Sequence, residues 1–199
     1  MCKFIVITNR KMCRGDFLEQ IDLICRAGAD RIILREKDLS ETAYKKLAME
    51  VLDVCRPYRT VCSLHSFINA ANELKAEAIH LPLPIAKRAP TAAKCFKSLG
   101  ISAHSLEEVR FAEQYRASYV TASHIFPTAC KAGLLPRGIP FLKEICEKTA
   151  LPVYALGGIT SENLTEVFNT KAAGVCVMSW AMQASYEEMK IFADRVHRK

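Results

Sequence analysis

Eight short apolar runs, separated by longer amphipathic stretches, recur along this 199-residue chain, and that alternation narrows the fold more than any other feature. The runs lie near residues 3–8 (KFIVIT), 31–35 (RIILR), 60–64 (TVCSL), 78–81 (AIHL), 100–103 (GISA), 118–122 (SYVTA), 152–156 (PVYAL) and 174–178 (GVCVM). Each is short and most are rich in β-branched residues, so they read as strands buried on both faces. Strands of that kind pair in parallel, and parallel pairing requires a crossover, usually a helix. The intervening stretches have the right pattern. DFLEQIDLICRAGA places Phe17, Ile21 and Ile24 on one helical face and stops at Gly28. SETAYKKLAMEVLDVC opens with Ser40 as a cap, and Tyr44, Leu47, Val51 and Val54 follow at helical spacing. SLEEVRFAEQY begins at Ser105 with acids in its first turn, and TSENLTEVFN begins at Thr160 with Asn163 three residues on. About eight such units, at roughly 25 residues each, predict an α/β chain forming a single (β/α)8 TIM barrel over residues 1–199. The alternative is an open doubly wound sheet, which normally carries its phosphate loop after the first strand. Here TNRKMCRG follows that strand, without GxGxxG or GxxxxGK.

Half of the residues are apolar, enough for a sizeable core. The net charge of +7 is spread along the chain rather than gathered in one arm. That distribution suits a phosphorylated small molecule and argues against a nucleic-acid partner. Nine cysteines, an odd number, include no CxxC and no zinc-type spacing. Several (Cys25, Cys62, Cys146, Cys176) lie on apolar stretches, where a free thiol behaves as a small hydrophobe, and the expected setting is reducing. The opening apolar run, FIVI, is too brief for a signal peptide or a membrane span. The expectation is a soluble cytoplasmic protein without a membrane partner; association into a homo-oligomer is compatible with such a barrel.

In a barrel of this kind the chemistry sits at the C-terminal ends of the strands. Those ends carry Arg35 and Lys37 after the second run, His65 and Ser66 after the third, Ser102 and His104 after the fifth, Ser123 and His124 after the sixth, Gly157 and Gly158 after the seventh, and Met178 and Ser179 after the eighth. The Gly157–Gly158 pair lets backbone approach a ligand and is expected to lead straight into a helix N-terminus. With backbone N–H groups near Met178 and Ser179, it forms the expected phosphate site; on its own it would be a plain tight turn. Arg35 and Lys37 alternate, so both can face one side and meet an anionic group, or else form a solvated strand end paired with Glu36 or Asp38. Lys131, in the loop after the sixth run, is either surface or a ligand contact. Three imidazoles at one mouth could hold a metal, but no carboxylate joins them, and a neutral or switching imidazole for proton transfer is the better reading.

Several stretches, in order, resemble one family: LREKDLS (34–40), HL (80–81), GISAHSLEEV (100–109), SYVTASHIFPTACKAG (118–133), LPVYALGGIT (151–160) and GVCVMS (174–179). They are similar to the thiamin phosphate synthase/TenI superfamily, which implies a TIM barrel with a thiazole-phosphate site at its mouth. The synthase branch couples a pyrimidine pyrophosphate to a thiazole phosphate and needs Mg²⁺. Its strand two carries a glutamine where this chain has Ile33, and its strand three ends in an Asn-Asp pair where this chain has His65 and Ser66. Its acid after strand four has no counterpart in HLPLPIA, and a threonine of its PTxTK loop is replaced by Cys130. A hard cation prefers carboxylate oxygens and water, so these departures weigh against the synthase.

The TenI branch resembles the chain more closely, through SHIF against a family context like GHVF. The resemblance therefore implies a metal-independent thiazole tautomerase, an isomerase without cofactor. His124 would be its catalytic proton carrier in aromatising 2-(2-carboxy-4-methylthiazol-5(2H)-ylidene)ethyl phosphate. Arg35, Lys37, Ser102, His104 and Lys131 would bind that thiazole phosphate, and Gly157, Gly158, Met178 and Ser179 its phosphate. The alternatives are thiamin phosphate synthase and a non-catalytic TenI-type regulator.

Overall fold

The computed structural model describes residues 2–199. Its strands are β1 (Lys3–Ile7), β2 (Arg31–Leu34), β3 (Val61–His65), β4 (Ala78–Pro82), β5 (Ser98–Ala103), β6 (Tyr119–Ser123), β7 (Val153–Leu156) and β8 (Gly174–Val177). All pair in parallel in chain order, and β8 returns to β1 with Lys3 opposite Gly174 and Val6 opposite Val177. The sheet is therefore a closed barrel, as the eightfold alternation predicts. Its helices are α1 (Phe17–Arg26), α2 (Glu41–Cys55), α3 (Ile68–Glu73), α4 (Leu83–Arg88), α5 (Leu106–Gln114), α6 (Gly138–Lys148), α7 (Leu164–Phe168) and α8 (Tyr186–His197).

The helix starts follow capping chemistry. Asp16 accepts from the Leu18 and Glu19 N–H groups, Ser40 from Ala43, and Ser105 from Glu108. Ser185 and Glu188 form a reciprocal capping box at α8. The segment after β7 departs from expectation. Thr160 does not begin a helix: its N–H donates to the Asn163 side chain at 2.9 Å, and Asn163 donates back to the Gly158 carbonyl at 2.8 Å. That turn delays α7 to Leu164 and leaves it five residues long. The Gly157–Gly158 pair is thus followed by an Asn-closed turn, because Asn163 hydrogen-bonds local backbone better than it supports a helix interior.

Alternation along the strands sorts side chains into two regions. Phe4 and Val6, Ile32 and Leu34, Ile79 and Leu81, and Val120 and Ala122 point outward and are buried under the helices. Between the outer layers, Tyr44 of α2 is wholly buried, donates to the Leu34 carbonyl at 2.7 Å and accepts from the His65 N–H at 2.7 Å. One helix side chain therefore ties the upper ends of β2 and β3 together. Inside the barrel, Ile5, Ile7, Ile33 and Cys176 form a small apolar cluster with Tyr154, Leu156 and Met178 packed against it.

The remaining interior is polar. Arg31 donates to the Ser63 hydroxyl and, at 3.0 Å, to Ser98, and its guanidinium lies 4.8 Å over the Tyr119 ring. Tyr119 meets the Nδ1 of His80 at 3.1 Å, and the Nε2 of His80 meets Ser102 at 2.9 Å. Gly100 makes room for this: a Cβ there would sit 2.1 Å from the Tyr119 ring and 2.5 Å from the Nδ1 of His80. All nine cysteines are free. Among the described residues no helix is long and apolar enough to cross a membrane.

Candidate functional site

A cavity of about 400 Å³ opens at the C-terminal ends of the strands, within the range of small-molecule sites. All ten residues expected at the site line it: Arg35, Lys37, Ser102, His104, His124, Lys131, Gly157, Gly158, Met178 and Ser179. Ser102 lies on β5 and the others in segments after β2, β5, β6, β7 and β8, and only barrel closure brings them to one rim. His65, His80, Thr128, Cys130, Thr160 and Trp180 also line it. His80 was visible in the sequence only as a residue within a strand. Its parity with Pro82 on β4, opposite in phase to the outward Ile79 and Leu81, is the signal that could have placed it inside.

Among the described residues, no aspartate or glutamate lines the cavity. The carboxylates nearest in sequence to Arg35 and Lys37 are engaged elsewhere. Glu36 points below the rim, is almost wholly buried, and accepts from the Thr8 hydroxyl at 2.6 Å and from the Arg10 backbone and guanidinium at 3.0 and 3.1 Å. Asp38 takes a two-pronged bond from Arg10, 2.7 Å on each prong, and a further contact from Lys11 at 3.1 Å. These pairings hold the Asp38 carboxyl well below the usual range, Arg10 being the largest cause. The alternative in which Glu36 or Asp38 pairs with Arg35 or Lys37 is therefore not met: both acids go to Arg10. Among the described residues, Arg35, Lys37 and Lys131 form no salt bridge. Burial, followed by repulsion from Arg35 and Lys131, lowers the Lys37 ammonium below its ordinary value. Burial and Arg137 do the same for Lys131, against a pull upward from Glu108. Three cations thus face one cavity without a matched acid, an arrangement ready for a polyanion.

The imidazoles differ from one another. His65 and His80 are buried and stacked, ring centroids 5.9 Å apart at 12°. Burial pushes the pKa of His80 down to about 3, with Arg31 adding to it. Burial also lowers that of His65, reinforced by His80, Arg35 and Lys37. Both rings are neutral at physiological pH. His104 meets the Glu108 carboxylate through Nδ1 at 3.1 Å. His124 is 5% exposed; its Nε2 lies 3.3 Å from the Leu134 carbonyl, and its own carbonyl accepts from the Arg137 N–H at 2.9 Å. The loop after β6 therefore folds back across the mouth.

The glycine pair sits hard against this loop. Gly157 and Gly158 have φ of 100° and 67°, in the left-handed region. A Cβ on Gly157 would stand 2.4 Å from that of His124, and one on Gly158 2.5 Å from the Pro127 carbonyl oxygen. Only glycine combines those dihedrals with that approach.

The family resemblance brings Mg²⁺ into question, and the donor set does not fit it. Mg²⁺ requires hard oxygen ligands in octahedral geometry, whereas this cavity presents cations, neutral imidazoles and hydroxyls. Among the described residues, no group of three or more His, Cys, Asp or Glu is placed to hold a metal ion.

Fold and site together define a (β/α)8 barrel whose mouth is cationic and, among the described residues, free of carboxylates. Residues 4–181 match the TMP-TENI family, described as thiamine monophosphate synthase, and the chain belongs to that family. A provisional thiamine-phosphate synthase 2 of Aquifex aeolicus is 34% identical over 184 residues, covering 91% of this chain and 98% of its own. The thiamine-phosphate synthase 2 of Streptococcus pneumoniae serotype 4 is 31% identical over 203 aligned positions, covering 98% and 95%. Among solved structures, a thiamine phosphate pyrophosphorylase from Pyrococcus furiosus superposes with a TM-score of 0.81 at 26% identity, over 98% of this chain and 96% of that one.

These relatives overturn the reading of the chain as an isomerase, the thiazole tautomerase. That reading leaned on the four residues SHIF and on the missing metal acids. A ring at a strand end is a position on a shared scaffold, and it does not specify which reaction the scaffold hosts. Likeness along nearly the full chain points instead to the synthase, a transferase.

Proposed function

We propose that this protein is a thiamine-phosphate synthase, joining a thiazole phosphate to a pyrimidine that carries a pyrophosphate leaving group. The observation that carries the reading is its likeness to proteins named for that activity across at least nine-tenths of both chains. The cavity supports it physically. The reaction forms one bond between the two heterocycles and breaks the bond to pyrophosphate, which departs with the electron pair. Negative charge grows on the leaving group as that bond stretches, and fixed cations stabilise it at that moment. Arg35, Lys37 and Lys131 are the groups for this task. Backbone at Gly157, Gly158, Met178 and Ser179 takes the thiazole phosphate across the rim, while Ser102, His104 and His124 face the rings. Holding both partners in one cavity turns a bimolecular encounter into a nearly unimolecular step. No step is routed through a metal ion, because no carboxylate lines the site to hold one.

The test is direct. Purified protein is incubated with the pyrimidine pyrophosphate and the thiazole phosphate, with Mg²⁺ and separately with EDTA, and the coupled product is measured by mass. Coupling above the uncatalysed rate in either arm is the expected result; no coupling in both would overturn the proposal.

A further inference from the structure

The polar interior of the barrel has a direction, and that direction reaches the cavity. His80 is 2% exposed and its ring is neutral, so one nitrogen carries a proton and the other accepts one. Both nitrogens are in use: Nδ1 with the Tyr119 hydroxyl at 3.1 Å and Nε2 with the Ser102 hydroxyl at 2.9 Å. Two arrangements are open. Either Tyr119 donates to Nδ1 and Nε2–H donates to Ser102, or the whole chain runs the other way.

The chemistry of the far end chooses between them. The Arg31 guanidinium lies 4.8 Å over the Tyr119 ring, and a cation on a phenol's π face draws electron density from its oxygen, which favours the phenol as a donor. A phenol is a strong donor and a weak acceptor, and an unprotonated imidazole nitrogen is a strong acceptor. Among the described residues the Tyr119 hydroxyl has one hydrogen-bond partner, the Nδ1 of His80, so its proton goes there.

We propose that Tyr119, under the Arg31 guanidinium, and His80 form a one-way hydrogen-bond chain that holds His80 as the Nε2–H tautomer and turns the Ser102 hydroxyl proton into the cavity. Ser102 is then a hydrogen-bond donor to bound substrate. Arg31, Tyr119 and His80 are positioning residues that never touch the ligand. On the synthase reading, the acceptor is a ring nitrogen lone pair of the pyrimidine, since the phosphate-bearing ends are taken by the cations and the glycine rim. Gly100 belongs to the same device, because any Cβ there would occupy the space of the Tyr119–His80 contact.

The decisive measurement needs neither substrate nor turnover. Long-range ¹H–¹⁵N correlation of the histidine side chains in the ligand-free protein at pH 7 reports the tautomer of His80. The Nε2–H form is expected in the wild type. Tyr119→Phe keeps the ring over Arg31 and removes only the hydroxyl, and His80 is then expected to shift toward the Nδ1–H form. An Nδ1–H tautomer in the wild type, or an unchanged Nε2–H form in a folded Tyr119→Phe, would overturn the chain. If Tyr119→Phe does not fold, the wild-type tautomer decides alone. In a second arm, calorimetry with the pyrimidine pyrophosphate should show about tenfold weaker binding in both Tyr119→Phe and Ser102→Ala. Equal affinity in all three proteins would remove the donor role of Ser102. Absence of synthase turnover leaves the tautomer result standing, so the two proposals fail separately.

Discussion

Tyr44→Phe isolates one buried hydroxyl whose loss should be felt at the site through Leu34, 10 positions back, and His65, 21 positions on. The phenol is 0% exposed and makes two bonds of 2.7 Å, one to the Leu34 carbonyl and one from the His65 N–H. Its ring also packs on Phe67 at 4.5 Å, and phenylalanine preserves that contact. The substitution therefore removes hydrogen bonding and leaves volume almost unchanged. Each buried backbone group left without a partner costs about 1–3 kcal/mol, so the two together predict a loss of about 2–6 kcal/mol. That is a large share of the stability of an ordinary domain. Urea unfolding followed by circular dichroism, with the slope held in common, measures it. Because Leu34 precedes Arg35 and the N–H belongs to His65, the same variant should weaken inorganic pyrophosphate binding as well. A loss below about 0.5 kcal/mol would refute the reasoning, since it would mean that the two backbone groups find other partners without cost.

Two further outcomes follow from charge. His65 and His80 are neutral in the folded protein, whereas the same rings in the unfolded chain take up protons near pH 6.5. The unfolded state then binds more protons below that pH, so stability falls as pH drops from about 6.5 toward 3, approaching about 1.4 kcal/mol per pH unit for each ring. Urea midpoints at pH 7, 6 and 5 check this, and a flat profile would contradict it. Arg10→Ala removes the guanidinium that engages both Glu36 and Asp38, although Arg10 does not line the cavity. The released carboxylates should turn toward Arg35 and Lys37 and weaken inorganic pyrophosphate binding by about threefold to tenfold, on the order of 1 kcal/mol. Unchanged affinity by calorimetry would show that the acids stay put without Arg10.

The limits of sequence reasoning are clearest at particular residues. The strands lie within about two residues of where the apolar runs place them, and Asp16, Ser40 and Ser105 cap the helices that follow. Thr160 misled because its backbone N–H donates to the Asn163 side chain, which closes a turn where a helix was expected to begin. The four residues SHIF misled further, since they suggested a reaction other than the one for which the full-length relatives are named. Arg31 went unnoticed although it has the same strand parity as Arg35, two positions beyond Ile33. Parity says that a side chain points inward; it does not say what waits for it there.

From the sequence alone came the number of units, their order, the barrel and the set of residues at its rim. These depend on contacts a few positions apart: alternation, caps and turn residues. The tertiary structure decided who pairs with whom. It gave Glu36 and Asp38 to Arg10, left three cations facing the cavity, and threaded Arg31, Tyr119, His80 and Ser102 into one interior path. Those choices depend on strand register and barrel closure, which bring together residues as far apart in the chain as Arg31 and Tyr119, 88 positions. No local pattern encodes such distances, and only the closed sheet does.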